Sequence, residues 1–283
     1  METAFKKQID WEIKCEPVLI GHQKQSNKKA IIRNDNGKLL GFVGKGYSPI
    51  HNQTLTEIAL AIQASGQFEL DGFIEHKEGR MIYCFLSNKN IYLNVNGHKV
   101  FEQMILSNSH DGTRRFTISS QTAMERCGNK YAQPLEVFSK KHTQPIDSSK
   151  INIEQMIKMY QAKKDKMYAA LDGMDSIPVS DSLVEKLIKE IHSMLSVDSS
   201  VLKENNWIKK PSMQNLKESI KKEMNALGNN LFGLFNGVTW YTSHEMRNCE
   251  SEHSRLNGKA ADINQKAFRF CNNLKNHYNK QQL

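Results

Sequence analysis

The sequence has no long hydrophobic run, and its first residues lack the apolar stretch of a secretory signal peptide. A helix that spans a membrane needs about 20 consecutive, mostly apolar residues. No segment of the chain approaches that length, so a transmembrane protein is excluded and a secreted one is disfavoured. We therefore expect a cytoplasmic protein without a membrane partner.

Cysteine pairs and metal-ligand spacings are also missing. The five cysteines are widely spaced and include no Cys-x-x-Cys pair, which argues against a zinc ribbon or a dithiol redox site. His244 and His253 would lie on one helix, but positions nine residues apart diverge by about 180°, so the two do not share a ligand. We assign them to a solvated helix face and expect no metal and no cofactor.

Proline is scarce, with 6 in 283 residues, while hydrophobic residues make up 39% and charged residues 24%. This composition is typical of a globular chain with a sizeable core, and it excludes wholesale disorder. The chain carries 39 Lys and Arg against 30 Asp and Glu, for a net charge of +9. Long-range attraction then favours polyanionic partners such as nucleic acid.

The first half of the chain has the pattern of strands with one helix. Apolar runs at residues 30–33 and 39–43 flank an Asn-Asp-Asn-Gly turn, which predicts a hairpin because Asn and Gly tolerate positive φ. Apolar residues at helical spacing predict a helix over residues 54–65. Further strands, rich in β-branched and aromatic residues, are predicted at residues 68–74, 81–86, 91–95, 103–106 and 115–118.

The second half changes to helical spacing. Residues 133–149 hold two prolines and several Ser and Thr, which indicates a boundary. Helices are predicted at about residues 151–171, 181–195, 212–227 and 241–278. We therefore predict an α+β fold. An antiparallel sheet with a covering helix would form the domain at residues 1–146, and a helical region would follow at residues 147–283.

The densest polar cluster is Ser-His-Asp-Gly-Thr-Arg-Arg at residues 109–115. It lies between two predicted strands, and loops on a rigid sheet often carry function. One interpretation is a tip that contacts phosphates or bases, with Arg114 and Arg115 on opposite faces of the next strand. A second is an enzyme in which Asp111 orients His110 as a base. A third is an Asp-Gly turn that caps its own backbone.

A glycine-rich segment, Gly-Phe-Val-Gly-Lys-Gly-Tyr at residues 41–47, is similar to a phosphate loop in composition only. Lys45 is followed by glycine, so the Gly-Lys-Ser/Thr of a Walker motif is absent. The glycines around Lys45 would let the backbone pass close to a sugar-phosphate chain, or they bend the end of a strand. The sequence leaves both interpretations open.

Several short motifs resemble those of a family of phage and plasmid proteins, the domain of unknown function 932, which overlaps the UPF-0380 group. The matching segments are RNDNGKLLG at residues 33–41, YSPIHN at 47–52, LSNSHDGT at 106–113, KHT at 141–143 and GVTW at 237–240, with a looser match over 258–267. The Ser-His-Asp-Gly step is the most specific. Residues 123–129 keep Cys127 and Asn129 but depart from the family's apolar strand pattern.

The resemblance implies a protein of a mobile element in a bacterial host cell, and it implies no catalytic residue. Genes of such proteins often lie near those for DNA recombination and single-strand binding. The predicted order of hairpin, helix and antiparallel strands is also similar to the core of ring-forming single-strand annealing proteins. This comparison with annealing proteins is an analogy that rests on the predicted fold and on the neighbouring genes.

We therefore expect a non-catalytic protein of a phage, prophage or plasmid that binds single-stranded DNA and promotes its annealing or recombination. A basic groove would hold the sugar-phosphate backbone, and a homo-oligomeric ring or filament would extend that groove. The candidates for backbone contacts are Lys45, Arg114, Arg115, Arg126, Lys130 and Lys141. The candidates for base stacking are Tyr47, Phe116 and His142.

Two alternatives remain open at the level of sequence. The first is a nucleic-acid or nucleotide-processing enzyme centred on His110 and Asp111, with Cys127 as its candidate nucleophile. The second is a host-defence antagonist that acts by protein contact alone.

Overall fold

The computed structural model describes residues 8–88, 93–95, 98–124, 130–195, 210–247, 249 and 251–281. In that part of the chain, strands form two antiparallel sheets. The smaller sheet consists of β1 (Ile13–Ile20), β2 (Gln23–Arg33) and β3 (Leu39–Gly44), in that order. The strands of the larger sheet are β4 (Glu69–His76), β5 (Met81–Ser87), β6 (Leu93–Val95), β7 (His98–Ser109), β8 (Phe116–Met124) and β9 (Lys130–Lys140). Their order is β4-β5-β7-β8-β9, and β6 pairs with β7.

The predicted hairpin is present as β2 and β3, which pair from Lys28 opposite Gly44 to Ile32 opposite Leu39. Gly37 at the turn has φ 72°, a left-handed conformation that glycine adopts without steric cost. The hairpin belongs to the smaller sheet, because β1 pairs with β2. The sequence does not predict β1, since Pro17 interrupts its pattern. In the structure Pro17 lies at a register shift of this edge strand, a position that tolerates proline.

The predicted covering helix is α1, Asn52–Ala64, and it packs on one face of the larger sheet. Residues along β5 alternate between the two faces of that sheet, as the pleat requires. Ile82, Cys84 and Leu86 join the core beneath α1, whereas Met81, Tyr83 and Phe85 form a smaller cluster on the opposite face.

The second half is helical, as predicted. Its helices are α2 (Ile153–Leu171), α3 (Asp181–Leu195), α4 (Pro211–Leu227), α5 (Leu231–Trp240), α6 (Glu252–Asn257) and α7 (Lys259–Gln281), with a π-helical turn at Tyr241–Glu245. The sequence does not predict α5, because residues 231–239 are mostly apolar and lack the polar stripe of a surface helix. In the structure these residues are all buried. Gly237 lets α5 approach α4, since a Cβ there would lie 2.3 Å from Cα of Ile220.

The segment at residues 133–149, which the sequence marks as a boundary, contains most of β9. Pro134 is tolerated because β9 is an edge strand whose register against β8 shifts in this stretch. Helix α2 contributes residues to the hydrophobic cores of both halves of the molecule. Met156 and Tyr160 pack in the core beneath the sheet, and Met167 and Leu171 pack among the helices. The division into two domains stays a prediction.

The fold is therefore α+β, with the strands in the first half and most helices in the second. None of the helices within the described ranges combines the length and apolar character needed to cross a bilayer.

Candidate functional site

Two of the motifs, residues 47–52 and 106–113, lie against each other. The hydroxyl of Tyr47 donates to the carbonyl of Ser109 at 2.7 Å. The side-chain amide of Asn108 donates to the carbonyl of Ile50 at 2.8 Å, and this bond is buried. The end of β7 is thus joined to the segment that leads into α1.

A third bond between the same motifs joins His110 to Asn52. His110 is fully buried, and its Nε2 lies 2.8 Å from Oδ1 of Asn52. Asn52 donates through Nδ2 to the carbonyl of Trp11 at 2.9 Å, so its Oδ1 is the atom that accepts from the histidine. Burial lowers the pKa of His110 to about 3, and nearby His142 and His51 act in the same direction. The imidazole is therefore neutral, with its proton on Nε2.

The motif at residues 33–41 reaches the same network through Arg33. The guanidinium carbon of Arg33 lies 3.8 Å from the ring centre of Trp11, and that ring meets His110 edge-on at 5.6 Å. Arg33 also donates to both carboxylate oxygens of Asp35, at 2.9 and 2.6 Å, and to Glu75 at 2.9 Å. Three of the sequence motifs therefore converge on one largely buried network.

Asp111 forms the turn that follows His110. Its Oδ1 accepts from the hydroxyls of Ser109 and Thr113, both at 2.6 Å, and from the Thr113 amide at 3.0 Å. Burial alone would raise the pKa of Asp111, but these hydrogen bonds outweigh it and lower the pKa. Gly112 has φ 76°. This is the turn that caps its own backbone, and the His110 imidazole bonds to Asn52 rather than to Asp111.

The turn lines an open groove of about 460 Å³. Three chain segments form it, namely the end of β3 with the residues after it, the loop before β8 and the residues after β9. The lining residues are Gly44, Gly46, Tyr47, Gly112, Thr113, Arg114, Arg115, Lys141, His142 and Thr143. Three of these are cationic, and none of the described residues that line the groove is acidic. We call this site the basic groove.

Both arginines line the basic groove. Strand alternation does not separate Arg114 from Arg115, because β8 begins only at Phe116. This corrects the expectation that the two face opposite sides. Arg114 donates from Nη2 to the carbonyl of Asn257 at 2.7 Å and thereby also contacts the end of α6. Arg115 is exposed, and no ion pair of its guanidinium is found among the described residues.

The aromatic candidates divide between the groove and the core. The rings of Tyr47 and His142 stack at 4.9 Å and 12°, and they form one wall of the basic groove. Burial raises the pKa of Tyr47 and lowers the pKa of His142. Phe116 is instead fully buried and meets Phe138 edge-on at 6.0 Å, so it packs in the core and offers no open face to a base.

The remaining candidates lie elsewhere. Lys45 is exposed and lies in the chain between Gly44 and Gly46, two residues that line the basic groove. Lys130 is the first residue of β9. Arg126 and Cys127 lie outside the described residues.

A histidine cluster that the sequence does not indicate lies where α6 meets the larger sheet. His253 stacks on His76 at 4.1 Å and 7°, so it does not lie on a solvated helix face. Its Nδ1 lies 2.6 Å from the hydroxyl of Tyr83, which in turn accepts from the side chain of Asn257 at 3.0 Å. Burial lowers the pKa of His253 to about 4 and raises the pKa of Tyr83 to about 12. Over the described ranges, no group of three or more His, Cys, Asp or Glu is placed to hold a metal ion.

A family model described as a domain of unknown function (DUF932) matches residues 39–269, which is most of the chain. No curated protein and no solved structure matches.

Proposed function

The chain belongs to the DUF932 family, and we propose that it binds single-stranded DNA through the basic groove. The observation that carries this proposal is the convergence of cations from separate segments. Arg114 and Arg115 precede β8, Lys141 follows β9, and all three line one groove whose described residues include no carboxylate. Such a site attracts phosphates by charge and releases counterions when it binds them.

The glycines of the groove support a close approach of the DNA backbone. Gly44, Gly46 and Gly112 line the groove, and neither Gly44 nor Gly46 has an atom within 4 Å of the position that a Cβ would take. Lys45 lies between the first two in the chain and is exposed, so it adds positive charge near the groove. A groove of about 460 Å³ is of the size that holds a small ligand, which suits a short single-stranded segment better than a duplex.

Annealing or recombination of a mobile element's DNA is the activity that we propose to follow from this binding. One groove contacts few nucleotides, so a homo-oligomeric ring or filament would be needed to hold a strand continuously. Bases outside the groove would then be open to a complementary strand.

An enzyme centred on His110 and Asp111 is not proposed. His110 is fully buried and bonded to Asn52, and the carboxylate of Asp111 is occupied by the turn. A general base needs access to the proton that it removes. No contact among the described residues specifically favours a host-defence antagonist.

The proposal is tested by fluorescence anisotropy with single-stranded and duplex oligonucleotides of equal length over a salt series. We expect the single strand to bind more tightly and its affinity to fall with salt. Lys141→Ala and Arg115→Ala should each weaken binding and reduce the slope of log K against log salt by about 0.7 per lost phosphate contact.

The matched control is Lys189→Ala, which removes an exposed lysine from α3. It should bind like the parent. Absence of salt-sensitive binding by the parent, or an equal loss in the Lys189→Ala variant, would show that the basic groove is not a DNA site.

A further inference from the structure

A second and larger cleft lies beside the basic groove, between β9, the segment after β9 and the start of α2. Its volume is about 690 Å³. We infer that this cleft binds one base of the strand whose phosphates occupy the basic groove. The inference rests on the proposed function and adds to it a site that receives a nucleobase.

The two sites are neighbours along one short segment. Thr143 lines the basic groove and Pro145 lines the cleft. Two residues of chain span at most about 7 Å, so the walls of the two sites come that close. Lys140 donates from Nζ to the carbonyl of Pro145 at 3.2 Å, which ties the segment back to the end of β9. In this proposal, a strand that follows the groove continues into the cleft.

The cleft presents an apolar wall to solvent. Phe138, Ile146, Met156 and Met159 line it. Phe138 is half-buried and packs edge-on against Phe116, so it occupies the surface position next to the aromatic residue that the sequence proposes for stacking. Met159 is 43% exposed and lies next to these other apolar side chains, so its thioether is accessible from the cleft. Aromatic rings and polarizable thioethers make favourable contacts with flat aromatic groups such as bases.

The charges around the cleft favour a nucleotide over other apolar occupants. Lys140 and Lys150 line it together with a single carboxylate, that of Asp147, which pairs with Lys150 at 3.1 Å. The surplus is positive and continues the charge of the basic groove. A second copy of this chain carries a net charge of +9 itself, so charge disfavours it as the occupant.

Holding one base is compatible with annealing. The cleft has room for few bases, and those on either side would stay open to a complementary strand. The bound base would fix the register of the strand on each subunit.

The test compares Met159→Asn with Met194→Asn in the full chain. Met194 is 41% exposed on α3 and is therefore a matched control. Neither change alters charge. Binding is measured by anisotropy with oligothymidylate and with the same oligomer carrying scattered abasic positions, and the mass of each variant is measured by light scattering.

We expect Met159→Asn to weaken binding of oligothymidylate about fivefold, as the loss of one contact between a thioether and an aromatic base predicts, with an unchanged salt slope. Abasic positions should weaken binding by the parent and by Met194→Asn. The affinity of the Met159→Asn variant should be nearly the same for the intact oligomer and for the oligomer with abasic positions. This pattern would separate a base contact from a phosphate contact.

Three outcomes overturn the inference. Equal binding by Met159→Asn and the parent would leave the basic groove as a DNA site but exclude the cleft. A loss in Met159→Asn that only follows a change of mass would make the cleft a contact between subunits. If the parent shows no salt-sensitive binding at all, the proposed function is wrong, and the inference that the cleft binds a base is wrong as well.

Discussion

Nε2 of His110 lies 2.8 Å from Oδ1 of Asn52, and both residues are completely buried. The other end of the Asn52 amide donates to the Trp11 carbonyl at 2.9 Å, which fixes the direction in which the amide points. A buried hydrogen bond of this kind joins the end of β7 to the start of α1. It gives the histidine of the Ser-His-Asp-Gly motif a structural role in the fold that presents the basic groove.

We expect His110→Ala to lower the free energy of unfolding by about 2–4 kcal/mol, because it leaves the buried Asn52 oxygen without a donor and opens a cavity. His110→Gln can keep a donor near the same place, so its free energy of unfolding should fall clearly less. Urea unfolding at neutral pH measures both. Equal losses in the two variants would show that the bond to Asn52 contributes nothing specific.

A second prediction concerns the contact between β3 and the turn at Asp111. A Cβ at residue 41 would lie 2.9 Å from Cα of Asp111, and neither backbone can move away freely. Gly41→Ala should therefore destabilise the protein by about 1–3 kcal/mol through overpacking. Gly44→Ala, at a position with nothing within 4 Å of the added Cβ, is the control and should leave stability nearly unchanged. The midpoint of thermal unfolding distinguishes the two variants, and similar midpoints would contradict the close approach.

Arg114 and Arg115 should differ in one measurable respect. Both line the basic groove, but only Arg114 is seen to donate to the carbonyl of Asn257 at the end of α6. Arg114→Ala should weaken DNA binding and also speed hydrogen exchange of the amides in α6. Arg115→Ala should weaken DNA binding alone. Equal exchange rates in α6 for the two variants would mean that the Asn257 contact does not hold the helix.

The sequence predicts elements well where apolar residues keep a regular period. The hairpin of β2 and β3, helix α1 and the amphipathic helices α2, α3 and α4 follow from spacing and turn residues alone. Helix α5 is not predicted because it is buried on all sides and has no polar stripe. Strands β1 and β9 are not predicted because each contains a proline. Those prolines are tolerated only because both strands lie at sheet edges, and edge position is a property of the assembled sheet.

The candidate site is predictable in its residue types but not in its geometry. Basic residues near turns point to Arg114, Arg115 and Lys141, and the structure brings these together. Nothing in the sequence separates Tyr47, which lines the groove, from Phe116, which is buried, because both are aromatic residues next to basic segments. Which ring is covered depends on packing between β8 and β9, and local sequence does not encode that.

Acid should loosen the contact between α6 and the larger sheet, because His76 and His253 stack there as neutral rings. Burial is the main cause that lowers the pKa of both rings, and together with the neighbouring His76 and Arg114 it lowers the pKa of His253 to about 4. Between the ordinary pKa of about 6.5 and this value, the unfolded chain binds a proton that the folded chain does not. The contribution to stability is therefore complete above about pH 6.5 and is lost progressively as the pH falls toward about 4.

Urea midpoints measured from about pH 7 down to about pH 4.5 test this expectation. The urea midpoint of His253→Gln should fall less steeply with decreasing pH than that of the parent, since glutamine does not titrate and can still accept from the hydroxyl of Tyr83. His277→Gln, which changes an exposed histidine on α7, should decline as steeply as the parent. If His253→Gln declines as steeply as well, the acid sensitivity belongs to other buried groups, of which His110 would be the first to examine because burial lowers its pKa to about 3.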